Sequence, residues 1–214
     1  MSALAFYTKA QGCQDATSDF RIRKMFEGWG REQVKNPDDH FHITTEILVK
    51  MNQEWKDMCR DSYEVTLFKS AAMLTFLGAF RISEPVASGR EDRSRAALQI
   101  TDMRVEQDRA IIHMCRSKLD QWGKGIQVVL GIFSIQNICP VRVLRTYLKL
   151  RGREEGFLLC HNDGSPLTKF QFWKITDSVL KWLGLIDMRF STYSFRIVTA
   201  STAASLGYGP DTIQ

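Results

Sequence analysis

The sequence has little cysteine and histidine and no long apolar run. Its five cysteines, Cys13, Cys59, Cys115, Cys139 and Cys160, are odd in number, widely spaced and free of any CxxC pair. Neither a disulfide framework nor a zinc site fits that spacing, and a reducing interior is the expected compartment. Among the four histidines, His40 and His42 form an HxH pair, but no further ligand cluster accompanies them. An exposed loop is their expected setting, and no metal or other cofactor is called for. No stretch approaches the ~18 apolar residues of a membrane span, and MSALAF lacks the character of a secretory signal. A membrane partner is therefore not expected. Internal repeats and low-complexity tracts are missing too, which argues against a solenoid or a linker-rich chain.

What is present is an ordinary globular composition: 214 residues, 44% hydrophobic and 25% charged. A chain of this length can bury roughly 70% of its unfolded surface, enough for one large domain and a small appendage. Lys and Arg number 29 against 24 Asp and Glu, for a net charge of +5 and a pI of about 9.0. That balance favours a polyanionic partner without requiring one.

Two short helices are expected at the start, Ser2 to Ala10 and Phe20 to Gly30, separated by a polar turn at Gly12, Asp15 and Ser18. Two helices cannot bury both of their faces, so residues 1–36 read as part of a helical bundle. Asn36 to Asp39, with Pro37, is the linker candidate, and residues 37–214 form the main domain. There Thr44 caps a helix to about Cys59, and Ser62 begins another through Phe80. From Leu98 to Leu130 the period becomes that of strands: LQITDMRV, AIIHMCRSK and IQVVLG, a three-stranded antiparallel meander. Cys139-Pro140 opens a helix to Arg151 with Val141, Leu144 and Leu148 inward and Arg142, Arg145 and Lys149 outward. FLLC, Phe157 to Cys160, is a candidate short strand, and Asn162 to Ser165 a turn. Thr168 and Gln171 form a capping box for a helix closed by Gly184, with Trp173 and Trp182 expected as packing residues. The class is α+β, mainly helical with a small antiparallel sheet.

The last stretch, FSTYSFRIVTASTAASLGYGPDTIQ, gives a helix capped by Ser191 or Thr192 and apolar nearly all round, hence buried. Tyr193 and Arg196 share one face of it, and a guanidinium sunk there must meet an anion, either a carboxylate or a phosphate. Gly209, Pro210 and Asp211 suit the start of another helix, which stops at Gln214 before a second turn. Three basic groups thus stand where a solvated surface would not put them: Arg81 at the end of a core helix, Lys118 at a hairpin turn, and Arg196. Each has a bland alternative. Arg81 can pair with Glu84, Lys118 can be an exposed turn residue, and Arg196 can bond a loop carbonyl.

Several segments taken in order resemble the tyrosine recombinase (phage-integrase-like) superfamily, in particular recombinases of eukaryotic retroelements and their domesticated descendants. FLGAFRISEP is similar to the first arginine box, HMCRSKLDQWGKG to the catalytic-lysine hairpin, and YSFRIVTASTAASLGY to the HxxR box. CPVRVLRTYLKLRG and FLLCHNDGSPLT fill the interval. The resemblance implies a helical catalytic domain with a small sheet, preceded by a partial core-binding domain, acting on double-stranded DNA in the nucleus together with other recombinase protomers. Arg81 and Arg196 would grip the scissile phosphate with bidentate N–H donors. Lys118 would protonate the leaving 5′ oxygen, and Glu84 would buttress the site. The guanidinium pair would neutralise charge in place of a metal. Arg116 and Lys124 on the hairpin, and Arg142 and Arg145 on the helix after the sheet, are the DNA-contact candidates.

Two departures from the family pattern bear on activity. Tyr193 stands where the family most often has histidine; a phenol can hydrogen-bond a phosphate oxygen but is a poor proton acceptor at neutral pH. The tyrosine nucleophile is matched by no residue up to Gln214, and Tyr208 lies too early for that position. The expected protein therefore holds DNA phosphate but does not cut alone, as a truncated or domesticated recombinase. The alternatives are a nucleophile donated in trans by a fuller relative and a non-catalytic protein-interaction relic.

Overall fold

A computed structural model describes residues 6–7, 10–12, 19–32, 41–91, 97–114, 125–186 and 188–196. The chain divides into two compact units, Met1–Asp39 and His40–Gln214. In the first, α1 spans Phe20–Glu32, and Asp19 caps it by accepting the Arg21 N–H at 2.8 Å. Phe20, Met25 and Trp29 are exposed along it. Most of the expected first helix lies outside the described residues.

The second unit opens with α2, Thr45–Met58, where the Thr44 hydroxyl accepts the Ile47 N–H and Leu48, Met51 and Trp55 face inward. Next comes α3, Ser62–Leu77, buried over most of its circumference as its apolar sequence requires. Its cap is Asp61 rather than Ser62, the carboxylate accepting the Glu64 N–H at 2.8 Å. The helix also ends earlier than its periodicity suggests, at Leu77, because Gly78 closes it and Ala79 turns to φ 52°. A side chain on Gly78 would run into the Phe80 ring and the Leu74 carbonyl. Only glycine lets the ring fold back there.

The sheet has the order β1-β2-β3 and is antiparallel throughout: β1 is Met103–Val105, β2 Arg109–Met114 and β3 Ile126–Gly131. The expected first strand is much shortened, because Ile100–Asp102 forms a 3-10 turn in which Asp102 accepts the Gln99 N–H at 2.7 Å. An aspartate that bonds its own backbone offers the chain an alternative to the ladder. Ala110, Ile112 and Met114 of β2 and Leu130 of β3 are buried, so alternation along the strands sets one face against the core.

Helix α4, Pro140–Arg151, has proline in its first turn and Gly152 at φ 61° after its last. FLLC is not a strand of the sheet. It makes isolated bridges, Gln99 with Phe157 and Cys160 with Pro166, that pin the loop following α4. The capping box expected at Thr168 and Gln171 opens α5, Lys169–Trp182, and Gly184 follows it at φ 77°. Trp173 packs partly buried against the core, but Trp182 is largely exposed and donates its indole N–H to Glu54 at 3.0 Å. Trp55, Tyr147, Phe172 and Phe195 are the largest fully buried rings of the core. No helix of the described residues is long and apolar enough to cross a membrane.

Candidate functional site

Arg81 sits four residues past the end of α3, between the buried side chains of Phe80 and Ile82. Glu84 organises the turn. Its carboxylate accepts the Arg81 backbone N–H at 2.7 Å, its own N–H bonds the Arg81 carbonyl at 2.8 Å, and its carbonyl accepts the Leu98 N–H at 2.8 Å. The pairing of the two side chains is looser, Arg81 Nη1 to Glu84 Oε1 at 3.5 Å, with the arginine side chain 32% exposed and the glutamate 14%. A contact at the limit of hydrogen-bond length leaves the guanidinium's other donors available. Glu84 thus fixes the backbone more firmly than it occupies the cation, and of the two expectations the ion pair with Arg81 is present as a loose contact.

Tyr193 and Arg196 lie on a tight turn held from several sides. Ser191 N–H donates to the buried Ser194 hydroxyl at 2.9 Å, and Arg196 N–H bonds the Tyr193 carbonyl at 2.9 Å. Ile43 N–H reaches the Ser194 carbonyl at 3.1 Å, tying the turn to the entry of α2. Phe195, fully buried, meets Phe172 of α5 at 5.5 Å between ring centroids, and Phe172 stacks on Phe68 of α3 at 6.4 Å. The segments that carry Arg81 and Arg196 are therefore anchored on one core through three rings. Arg196 is half-buried rather than sunk, and among the described residues its guanidinium makes no hydrogen bond or ion pair. Tyr193 is 53% exposed. The rest of the expected helix, and with it residues 197–214, lies outside the described residues.

So do Lys118, Arg116 and Lys124, and with them the hairpin turn between β2 and β3. Of the other DNA-contact candidates, Arg142 is exposed and donates to Gln136 at 2.8 Å. Arg145 has a structural task that the outward face of the helix did not suggest: one nitrogen bonds the Glu106 and Gln107 carbonyls, at 2.7 and 2.9 Å, and so clamps the β1-β2 turn to α4.

Among the described residues the buried cation is Arg151, at 5% exposure. It donates to the carbonyls of Arg153, Glu155 and Phe157. Its position in the last turn of a helix announces a favourable dipole interaction, but nothing in the sequence marks it as buried. A polar cavity of about 350 Å³, lined by Arg60, Tyr63, Glu64, Arg90, His161 and Asp163 among others, includes none of the expected site residues. Within it the Arg60 guanidinium holds the Glu64 carboxyl below its usual range. Among the described residues no group of three His, Cys, Asp or Glu side chains could hold a metal ion.

No protein-family model matches the sequence, and no curated protein does. Solved structures do. The chain is similar to the XerH site-specific recombinase bound to its difH substrate before cleavage, with a TM-score of 0.58 and 17% identity, covering 99% of this chain and 60% of that one. It is similar to XerH in a post-cleavage complex with palindromic difH, at 0.56 and 17%, covering 86% and 49%. A Flpe variant in complex with a DNA Holliday junction gives 0.51 and 14%, covering 96% and 54%. The chain spans 60% or less of the length of each of these proteins. The helices and the three-stranded antiparallel sheet make an α+β fold that the chain shares with these solved structures.

Proposed function

We propose that this chain binds the phosphodiester backbone of double-stranded DNA, with Arg81 and Arg196 converging on one phosphate. The observation that carries the reading is Arg196, a half-buried residue whose guanidinium has no partner among the described residues. A cation so placed is stabilised by an anion from outside, and a phosphate offers oxygens matched to the guanidinium fork. Arg81, oriented by Glu84 yet only loosely paired with it, supplies a second set of donors. Lys118 is assigned the proton delivered to the leaving 5′ oxygen, a task suited to a mobile ammonium. Arg116, Lys124 and Arg142 add sequence-independent contacts to the backbone. The recombinases of like fold, caught on their DNA substrates, support this choice of polyanion.

The proposed setting is DNA recombination or integration in a nucleus, as a retroelement-type or domesticated recombinase acting with other protomers. In this reading Arg81, Lys118 and Arg196 hold and orient the phosphate, and a 3′-phosphotyrosyl bond would require a tyrosine nucleophile in addition to them. The test is binding to duplex DNA across a salt series. The expected result is a log affinity that falls linearly with log salt, and a shallower slope with weaker binding for the Arg81→Ala, Arg196→Ala double variant. Binding that ignores salt, or that the double variant leaves intact, would remove the phosphate pocket.

A further inference from the structure

The turn that carries Arg196 is gathered by a segment from the start of the second unit. Phe41 N–H donates to the Arg189 carbonyl at 2.9 Å, and Ile43 N–H to the Ser194 carbonyl at 3.1 Å. Amides two residues apart are separated by at most ~7 Å, whereas the stretch from Arg189 to Ser194 would cover ~17 Å if extended. The two bonds therefore hold a folded loop closed at both ends. Inside it, Ser191 N–H donates to the Ser194 hydroxyl at 2.9 Å and Ser194 N–H to the Ser191 carbonyl at 3.0 Å. Arg196 follows directly after Phe195.

Side chains close the same contact. The Phe41 ring meets Phe190 at 6.2 Å between centroids and 51° between planes, a tilted pair of the kind that aromatic quadrupoles favour. Phe190 packs partly buried against the core, and Ile43 is fully buried. Phe41 itself is 47% exposed. A ring so exposed gives up much of the stabilisation that full burial brings, so what it supports is the loop it leans on.

The geometry points to Phe41 as a positioning residue: with the backbone of residues 41–43 it forms a strap that holds the Arg189–Ser194 loop and thereby sets where Arg196 stands. The value of that placement for DNA rests on the phosphate reading above, whereas the strap itself does not. Loosening the strap lets Arg196 sample more positions, and ordering it again on a phosphate then costs affinity.

Hydrogen exchange of the whole chain, read by NMR without DNA, tests the strap. In Phe41→Ala the Ile43 and Arg196 amides should exchange about tenfold faster, while the amide of Leu67, fully buried in α3, keeps its wild-type rate. Phe41→Tyr, which keeps the ring, should restore protection, and Phe41→Leu replaces Phe41→Ala if that variant does not fold. Duplex DNA binding then tests the consequence. Phe41→Ala should weaken binding by about three- to tenfold, and by much less when Arg196 is already alanine. Wild-type exchange at Ile43 and Arg196 in Phe41→Ala overturns the proposal. So does an affinity that Phe41→Ala leaves unchanged while Arg196→Ala lowers it, or a loss of the same size in the Arg196→Ala background. If Arg196→Ala leaves binding intact, it is the phosphate reading that fails, and faster exchange at Ile43 and Arg196 still supports the strap.

Discussion

Single side chains in this protein divide into those satisfied from within and those left open. Tyr63 and Tyr147 belong to the first group. The Tyr63 hydroxyl donates to the Cys160 carbonyl at 2.8 Å, while Tyr147 donates to Leu158 at 3.0 Å and accepts the Cys160 N–H at 3.0 Å. Burial pushes the Tyr63 phenol from its ordinary 10.0 up to about 12, and burial raises Tyr147 further. A raised phenol keeps its proton longer in the folded protein, so its stabilisation is complete below the unfolded value and disappears as pH climbs through the folded one. Denaturant midpoints measured against pH should therefore drop between pH 10 and 12, and Tyr63→Phe should flatten part of that drop at a cost of about 1 kcal/mol at neutral pH. An unchanged alkaline limb in the variant would place the sensitivity elsewhere. Arg196 belongs to the second group: its charge has no internal answer among the described residues, which is why the functional reading rests there and not on Arg145 or Arg151.

At the scale of elements, Gly78 shows how packing fixes chemistry. Phe80 folds over it and is buried, and Arg81 is the next residue. Gly78→Ala is expected to cost about 1–3 kcal/mol by overpacking and to lower DNA affinity through the displaced Arg81 turn, measured by chemical denaturation and by a binding titration. Full stability in that variant would mean that the Phe80 ring is free to move aside. The elements most legible in the sequence were those with local signatures: the Thr44 cap, the Thr168 and Gln171 box, Pro140 at a helix start and the alternation of β2 and β3. Where the sequence misled, a local bond or turn had overruled periodicity. Asp102 bonding Gln99 shortened β1, and Gly78 with Ala79 ended α3 early. The burial of Arg151 and the clamp made by Arg145 depend on carbonyls brought from other parts of the chain, and no spacing along one helix announces such contacts.

For the second unit as a whole, the order of motifs carried the fold, because each marks an element and those elements meet on one core. The site was legible only as residue types at positions. Arg81 with Glu84 is a local pair that spacing predicts, whereas the proposed meeting of Arg81 with Arg196 is long-range, and the link between their segments is the ring contacts of Phe68, Phe172 and Phe195. That meeting is the central claim, and a double-mutant cycle tests it most directly. DNA affinity is measured for the wild type, Arg81→Ala, Arg196→Ala and the double variant at one fixed salt concentration. Two guanidinium groups on one phosphate predict a coupling energy of about 0.5–3 kcal/mol between the substitutions. Losses that simply add, within about 0.3–0.5 kcal/mol, would put the two arginines on separate sites and contradict the account.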